Sequence, residues 1–227
     1  WVGRCFADHP HFVLADLALR VLVEEREFYS PTELFMASHE CLNFGLRLEP
    51  NWIEPWNLPA LRADMPEETF AIELNRLVRE PATAPFERMA LPMPPGQTGV
   101  IRMAQEQAPN PDSRVRLGDE RDAFGLRRVA MDWHMSDMDI HTMRTAVTAF
   151  GQHMAREGIG RARVRDWLLA EPAKLPGVLE DEVGGKHHMG TTRMAAEARH
   201  GVVDGDCRVH GVSNLFIGGS SVFTTTG

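Results

Sequence analysis

The stretch Ser113–Met154, SRVRLGDERDAFGLRRVAMDWHMSDMDIHTMRTAVTAFGQHM, decides the fold class. Its first half consists of short alternating segments around Asp122-Ala123-Phe124-Gly125, a turn composition, and reads as antiparallel strands. With the preceding TGVIRMAQEQ it predicts a meander between Thr98 and Trp133. The second half changes period. Ser136, with Asp139 three residues on, is a helix-start signal; Ile140, Met143, Val147, Phe150 and Met154 then fall on one stripe, and Gly158 stands just past the end. That stripe reads as core-facing. Strands that pair locally, followed by one amphipathic helix, predict an α+β fold in which an antiparallel sheet packs with helices.

Working outward, WVGRCFADHPHFVLADLALRVLV opens with a turn at Asp8-His9-Pro10, and its apolar run Phe12–Val23 is compatible with one or two strands. Ser30-Pro31 with Glu33 predicts a helix within Ser30–Leu48. The next segment, to Glu68, reads as a covering loop; Phe70, Leu74 and Leu77 lie at helical spacing within Pro66–Val78; and the prolines of Pro81–Pro95 break that pattern. Downstream, ARVRDWLL predicts a further strand, and Glu171–Gly185 a connection.

The 227 residues are 43% apolar, enough to bury a core in one large or two small domains, and carry a net charge of −8. That balance offers no electrostatic footprint for nucleic acid, and no segment approaches the ~18 consecutive apolar residues of a membrane helix. Cys5, Cys41 and Cys207 are far apart and in no C-x-x-C spacing, which predicts reduced structural thiols. The chain begins at Trp1 with no charged and apolar leader pattern, and reads as a piece of a longer protein.

Chemistry concentrates in GGKHHMGTTRM, Gly184–Met194. Glycines let a backbone approach something closely, and a neutral imidazole beside them can take a proton from a substrate hydroxyl. The residue types alone equally allow a pair of histidines hydrogen-bonded to backbone. A metal site is disfavoured, since adjacent histidines do not readily share one ion and no carboxylate stands at ligand spacing. The histidines of DWHMSDMDIH could serve a metal-dependent hydrolase, but an amphipathic helix explains that segment better.

The C-terminal sequence resembles the glucose-methanol-choline family of flavin-dependent oxidoreductases. The matching positions are His187-His188-Met189-Gly190-Thr191, Arg193-Met194, Gly201-Val202-Val203-Asp204, Arg208-Val209, Gly211-Val212, Asn214-Leu215 and Ser221-Val222-Phe223, in the family's order and spacing. VGRCFADHP resembles the segment that leaves the flavin domain, and EQAPNPDSRV with DAFGLRRVAMDW the strands of the substrate domain.

The resemblance implies FAD as cofactor and a small-molecule alcohol, sugar or polyol as substrate, oxidised at its CH–OH group by hydride transfer to flavin. It puts the catalytic histidine three residues before Gly190, at His187, with His188 the second candidate. It reads NLFIGGSSVF as a return strand of the flavin domain with Gly219, Ser220 and Ser221 against the cofactor; where many relatives have Asp and Pro, this chain has Gly219 and Thr224. It divides the chain into a substrate-binding domain, 1–186, with a short lead-in from the flavin domain, and a truncated active-site and flavin-domain return segment, 187–227. No G-x-G-x-x-G fingerprint follows a strand, so the expected partner is an N-terminal FAD-binding domain of the same chain. The chain ends at Gly227, before the family's second active-site position, an Asn or His. Alone, it is expected to bind FAD weakly. The alternative is a binding or interaction module without the cofactor half.

Overall fold

The structure, a computed structural model, describes residues 1–20, 28–51, 97–176 and 185–226. In chain order the described elements are β1 (His11–Leu19), β2 (Phe28–Tyr29), α1 (Glu33–His39), β3 (Phe44–Asn51), β4 (Gln97–Gln105), β5 (Arg114–Arg121), β6 (Arg127–Asp132), α2 (Asp137–Arg156), β7 (Gly160–Val164), α3 (Asp166–Leu169) and a 3₁₀ turn at Ser220–Val222. The fold is α+β. A five-stranded antiparallel sheet has the order β2-β3-β4-β1-β7, and β5 and β6 form a separate antiparallel hairpin.

The core lies between the large sheet and α2. β1 contributes Phe12, Leu14, Leu17 and Leu19, β3 contributes Phe44, Leu46 and Leu48, and β4 contributes Ile101 and Met103; Met143, Ala146, Val147 and Met154 of α2 close it. Ile140 and Phe150 flank the same cluster, so the five-residue stripe of the sequence is the packed face. A second, smaller cluster of Val202, Val203 and Val222, with Met194, Cys207, Val209 and Ile217 against it, holds the C-terminal segment together. No described helix is long and apolar enough to cross a membrane.

The start of α2 is a capping box. Ser136 Oγ accepts from the Asp139 N–H at 3.3 Å, and Asp139 Oδ2 accepts from the Ser136 N–H at 2.6 Å. Asp139 also ties the helix to the chain before β5, its Oδ1 accepting from the Ala108 N–H at 2.8 Å. The side chain is fully buried, and burial pushes its carboxyl pKa up against the pull of these donors. Asp139→Ala leaves the donors unpaired and is expected to lower stability by about 2–4 kcal/mol, read from urea midpoints. A loss below ~0.5 kcal/mol, the range of neutral surface changes, would contradict this. Because the folded state holds its proton more tightly than the unfolded one, Asp139 makes stability fall as pH rises from the ordinary carboxylate value through the raised one. Asp139→Asn should flatten that slope.

Four sequence expectations change. The first helix is capped by Thr32, not Ser30: the Thr32 hydroxyl accepts from the Phe35 N–H at 3.1 Å. It stops at His39, with Glu40 in the left-handed region, and Phe44, Leu46 and Leu48 bury with a period of two, which makes Phe44–Asn51 a strand. The meander is divided, because β4 pairs with β1 and β3 while β5 and β6 pair only with each other among the named strands. In ARVRDWLL only the first half is strand; Asp166–Leu169 is a helical turn that buries Leu168. Asn214–Val222 is not a strand: a single bridge joins Phe216 to Arg208, and the 3₁₀ turn follows. Leu215 and Phe216 are exposed, so no apolar partner holds them extended. The helix read at Pro66–Val78, the loop before it and the proline-rich break after it lie outside the described residues.

Candidate active site

Two distant segments build the site. Residues 3–9 run beside 187–191: Ala7 and Met189 exchange both backbone hydrogen bonds, at 3.1 and 2.9 Å, and the Gly3 N–H donates to the Thr191 carbonyl at 2.8 Å. Gly190 makes this approach possible. Its φ is +87°, and a Cβ there would overlap the Cys5 carbonyl. The glycine of Gly-Thr is therefore a packing requirement at the point where the two segments cross.

Asp8 is the anchor of the histidine loop. It is buried, and its carboxylate accepts from the backbone N–H groups of His9 at 2.8 Å, His187 at 3.1 Å and Lys186 at 3.1 Å. Lys186, at the entry to the two histidines, is held with φ +61°. His187 Nδ1 is hydrogen-bonded to His9 Nε2, and the two rings are tilted with centroids 4.6 Å apart. His9 Nδ1 in turn meets His11 Nε2 at 3.0 Å. His188 goes elsewhere: its Nε2 lies 3.6 Å from Asp8 Oδ2, and its ring packs 5.2 Å from that of Phe6. At that separation the Asp8 contact is an ion pair only when His188 is protonated, and is too long for a hydrogen bond.

The segments Thr192–Met194 and Ser220–Val222 lie side by side. Backbone N–H groups of Thr192 and Met194 donate to the carbonyls of Ser221 and Val222, at 2.9 and 2.8 Å, and the Thr192 and Ser221 hydroxyls meet at 2.6 Å. Ser220 Oγ donates to the His188 carbonyl at 2.7 Å. The structure thus brings Ser220 and Ser221 against the histidine loop. Gly219 has φ +109° and ψ 176°, a conformation that is essentially glycine's alone. A residue with a side chain could not take this backbone without strain, so Gly219 suits the turn it makes here. No other residue's atom lies within 4 Å of where a Cβ on Gly218 or Gly219 would stand, so bare backbone faces open space beside the loop.

Several motif positions are engaged in local structure. Asp204 accepts from the backbone N–H groups of Asp206 and Arg208, both at 3.0 Å, and from Arg208 Nε at 3.2 Å. The Arg208 backbone donor is the largest of the effects that hold its carboxyl pKa below the ordinary value. The DWHMSDMDIH segment is spent on the start of α2, where His141 Nε2 bonds the His39 carbonyl at 2.8 Å. Among the described residues no three His, Cys, Asp or Glu side chains are placed to share a metal ion.

The sequence reading takes Asp8-His9-Pro10 as a turn before a strand and gives His11 no role. Their signal was the composition of Asp8-His9-Pro10-His11: two imidazoles at i and i+2 share one side of an extended segment, and an acid stands beside them.

A family model for GMC oxidoreductase matches residues 109–227. The chain belongs to the GMC oxidoreductase family, whose members are flavoproteins that typically bind FAD. The match covers α2, the histidine loop and the Gly219–Ser221 segment. Among curated proteins, none matches the chain.

Proposed function

We propose that the protein oxidises the CH–OH group of an alcohol, sugar or polyol, with FAD as hydride acceptor and His187 as the base that takes the hydroxyl proton. The observation that carries the reading is the asymmetry of the His187 ring: Nδ1 is engaged by His9, while Nε2 has no partner among the described residues and the side chain is exposed. A general base needs one nitrogen held and the other presented to substrate. His188 is the second candidate, set beside the Asp8 carboxylate and the Phe6 ring. Gly219, Ser220 and Ser221 would hold the flavin, with bare backbone at Gly219 against a ring face. Bound there, FAD would supply the two-electron acceptor that no side chain offers. The chain's own part is to orient His187, hold the substrate and accept its proton.

The two apolar clusters support a division into a substrate-binding part, 1–186, and a flavin-facing part, 187–227. The bridges of Arg4 to Arg114 and of Ala7 to Met189 support reading the first residues as a lead-in shared by both. Anaerobic mixing of the flavin-loaded full-length protein with a panel of alcohols, polyols and sugars tests the reaction. Bleaching of the flavin absorbance by at least one of them is expected. A bound flavin that none reduces would overturn the reading.

A further inference from the structure

Three imidazoles stand in a line. His187 Nδ1 bonds His9 Nε2, and His9 Nδ1 lies 3.0 Å from His11 Nε2, with the His9 and His11 ring centroids 5.0 Å apart. The middle ring, His9, uses its two nitrogens on two different neighbours, which is the arrangement that passes a proton through an imidazole. The alignment is built in. Pro10 stands between His9 and His11, at the start of β1, so the two rings share one side of an extended segment. The loop after Gly184 presses on the middle ring, because a Cβ at Gly185 would overlap it. Asp8 pins the backbone at both ends of the His9–His187 contact, through the His9 and His187 N–H groups.

We propose that His9 and His11 extend the catalytic base into a proton relay running from His187 to His9 to His11, and that His9 is the positioning residue that sets the tautomer of His187. The proposal rests on the reading of His187 as the base. In the resting state His187 carries its proton on Nδ1, donated to His9 Nε2, and His9 carries its own on Nδ1, donated to His11 Nε2. The alcohol gives its hydroxyl proton to His187 Nε2 as it is oxidised; a flavin bound here would supply the acceptor for the hydride of its C–H bond. His187 then releases its Nδ1 proton to His9 Nε2, and His9 releases its Nδ1 proton to His11 Nε2. One proton has left the substrate, His11 is the imidazolium, and His187 and His9 are neutral in the opposite tautomer.

The relay answers a physical need. With substrate against Nε2, the imidazolium would lose contact with water on that side, and the only other exit is Nδ1. His9 suits the middle position because burial holds its pKa below the ordinary imidazole value and His187 lowers it further, while Asp8 opposes. A proton passed to it from His187 is therefore held weakly and handed on. The ionisable groups around it are Asp8 and His11 on its own segment, Lys186, His187 and His188 on the facing loop, and Glu106, which shares with it a cavity of about 140 Å³ at the end of β4.

Two measurements on the flavin-loaded full-length protein test this. The first is ¹⁵N NMR of labelled histidine rings, where His187 should show a protonated Nδ1 and a bare Nε2, and should lose that preference in His9→Ala. The second follows proton release with an indicator dye during anaerobic flavin reduction. In the native protein the proton should reach solvent with reduction, ahead of the carbonyl product. His9→Gln keeps an acceptor for His187 but cannot relay; it should slow reduction a few-fold and delay the proton by about tenfold or more, until product leaves. His11→Gln, which leaves the His187–His9 bond in place, should delay the proton without changing the His187 tautomer. Proton release that keeps pace with reduction in both Gln variants overturns the relay, and a His187 tautomer unchanged in His9→Ala overturns the positioning role. Failure of the underlying reading is separate: His187→Ala would then reduce flavin at the native rate.

Discussion

His187→Ala in the full-length, flavin-loaded protein is expected to slow anaerobic flavin reduction by about 10²–10⁴-fold, the usual range for losing a positioned general base. His188→Ala should cost much less, about tenfold or below. The two neighbours differ in their surroundings: His187 is anchored through one nitrogen to His9 with the other unengaged, and His188 lies against Phe6. Raised pH should partly rescue His187→Ala, since a more ionised alcohol no longer needs the base. Stopped-flow reduction of the two variants decides the assignment. A larger loss in His188→Ala would move the base by one residue, and native rates in both would remove histidine catalysis altogether.

Gly190→Ala is expected to have the largest effect of any single-methyl addition to the site. Two costs combine. A residue with a side chain at φ +87° is strained, and the new Cβ meets the Cys5 carbonyl, which is backbone and cannot swing aside. Together these should lower stability by about 2–4 kcal/mol, and any relaxation must part residues 3–9 from 187–191. Since that pairing carries both Asp8 and His187, flavin reduction should fall with stability. Gly205→Ala is the control, as no other residue's atom lies within 4 Å of where its Cβ would stand. A Gly190→Ala protein with native urea midpoint and native reduction rate would show that the crossing of the two segments does not shape the site.

The α2 stripe was legible because it combined a cap, a period of 3.6 and a stop, each of which is local information. The β3 strand was not, although Phe44, Leu46 and Leu48 alternate, because Thr32-Glu33 starts a helix just before it and the switch of period occurs within a few residues. The division of the expected meander was hidden for a different reason. Which strand β4 chooses depends on β1 and β3, distant in sequence, and no local pattern records that choice. At the site, His187 and the Gly219–Ser221 segment could be singled out by motif, since their spacing is fixed within one stretch of chain. Asp8, His9 and His11 could not be tied to them, because the contacts span 178 residues and depend on a bridge between Ala7 and Met189 that residue types do not announce. The left-handed turn at Lys186 was equally silent.

The most direct measurement of the central claim is the effect of deuterium at the alcohol carbon on anaerobic flavin reduction in the full-length protein. Hydride transfer assisted by His187 predicts that the deuterated alcohol bleaches the flavin severalfold more slowly than the protiated one, with one carbonyl product formed per flavin reduced. A flavin bleached at equal rates by both alcohols, or bleached with no carbonyl product, would contradict it.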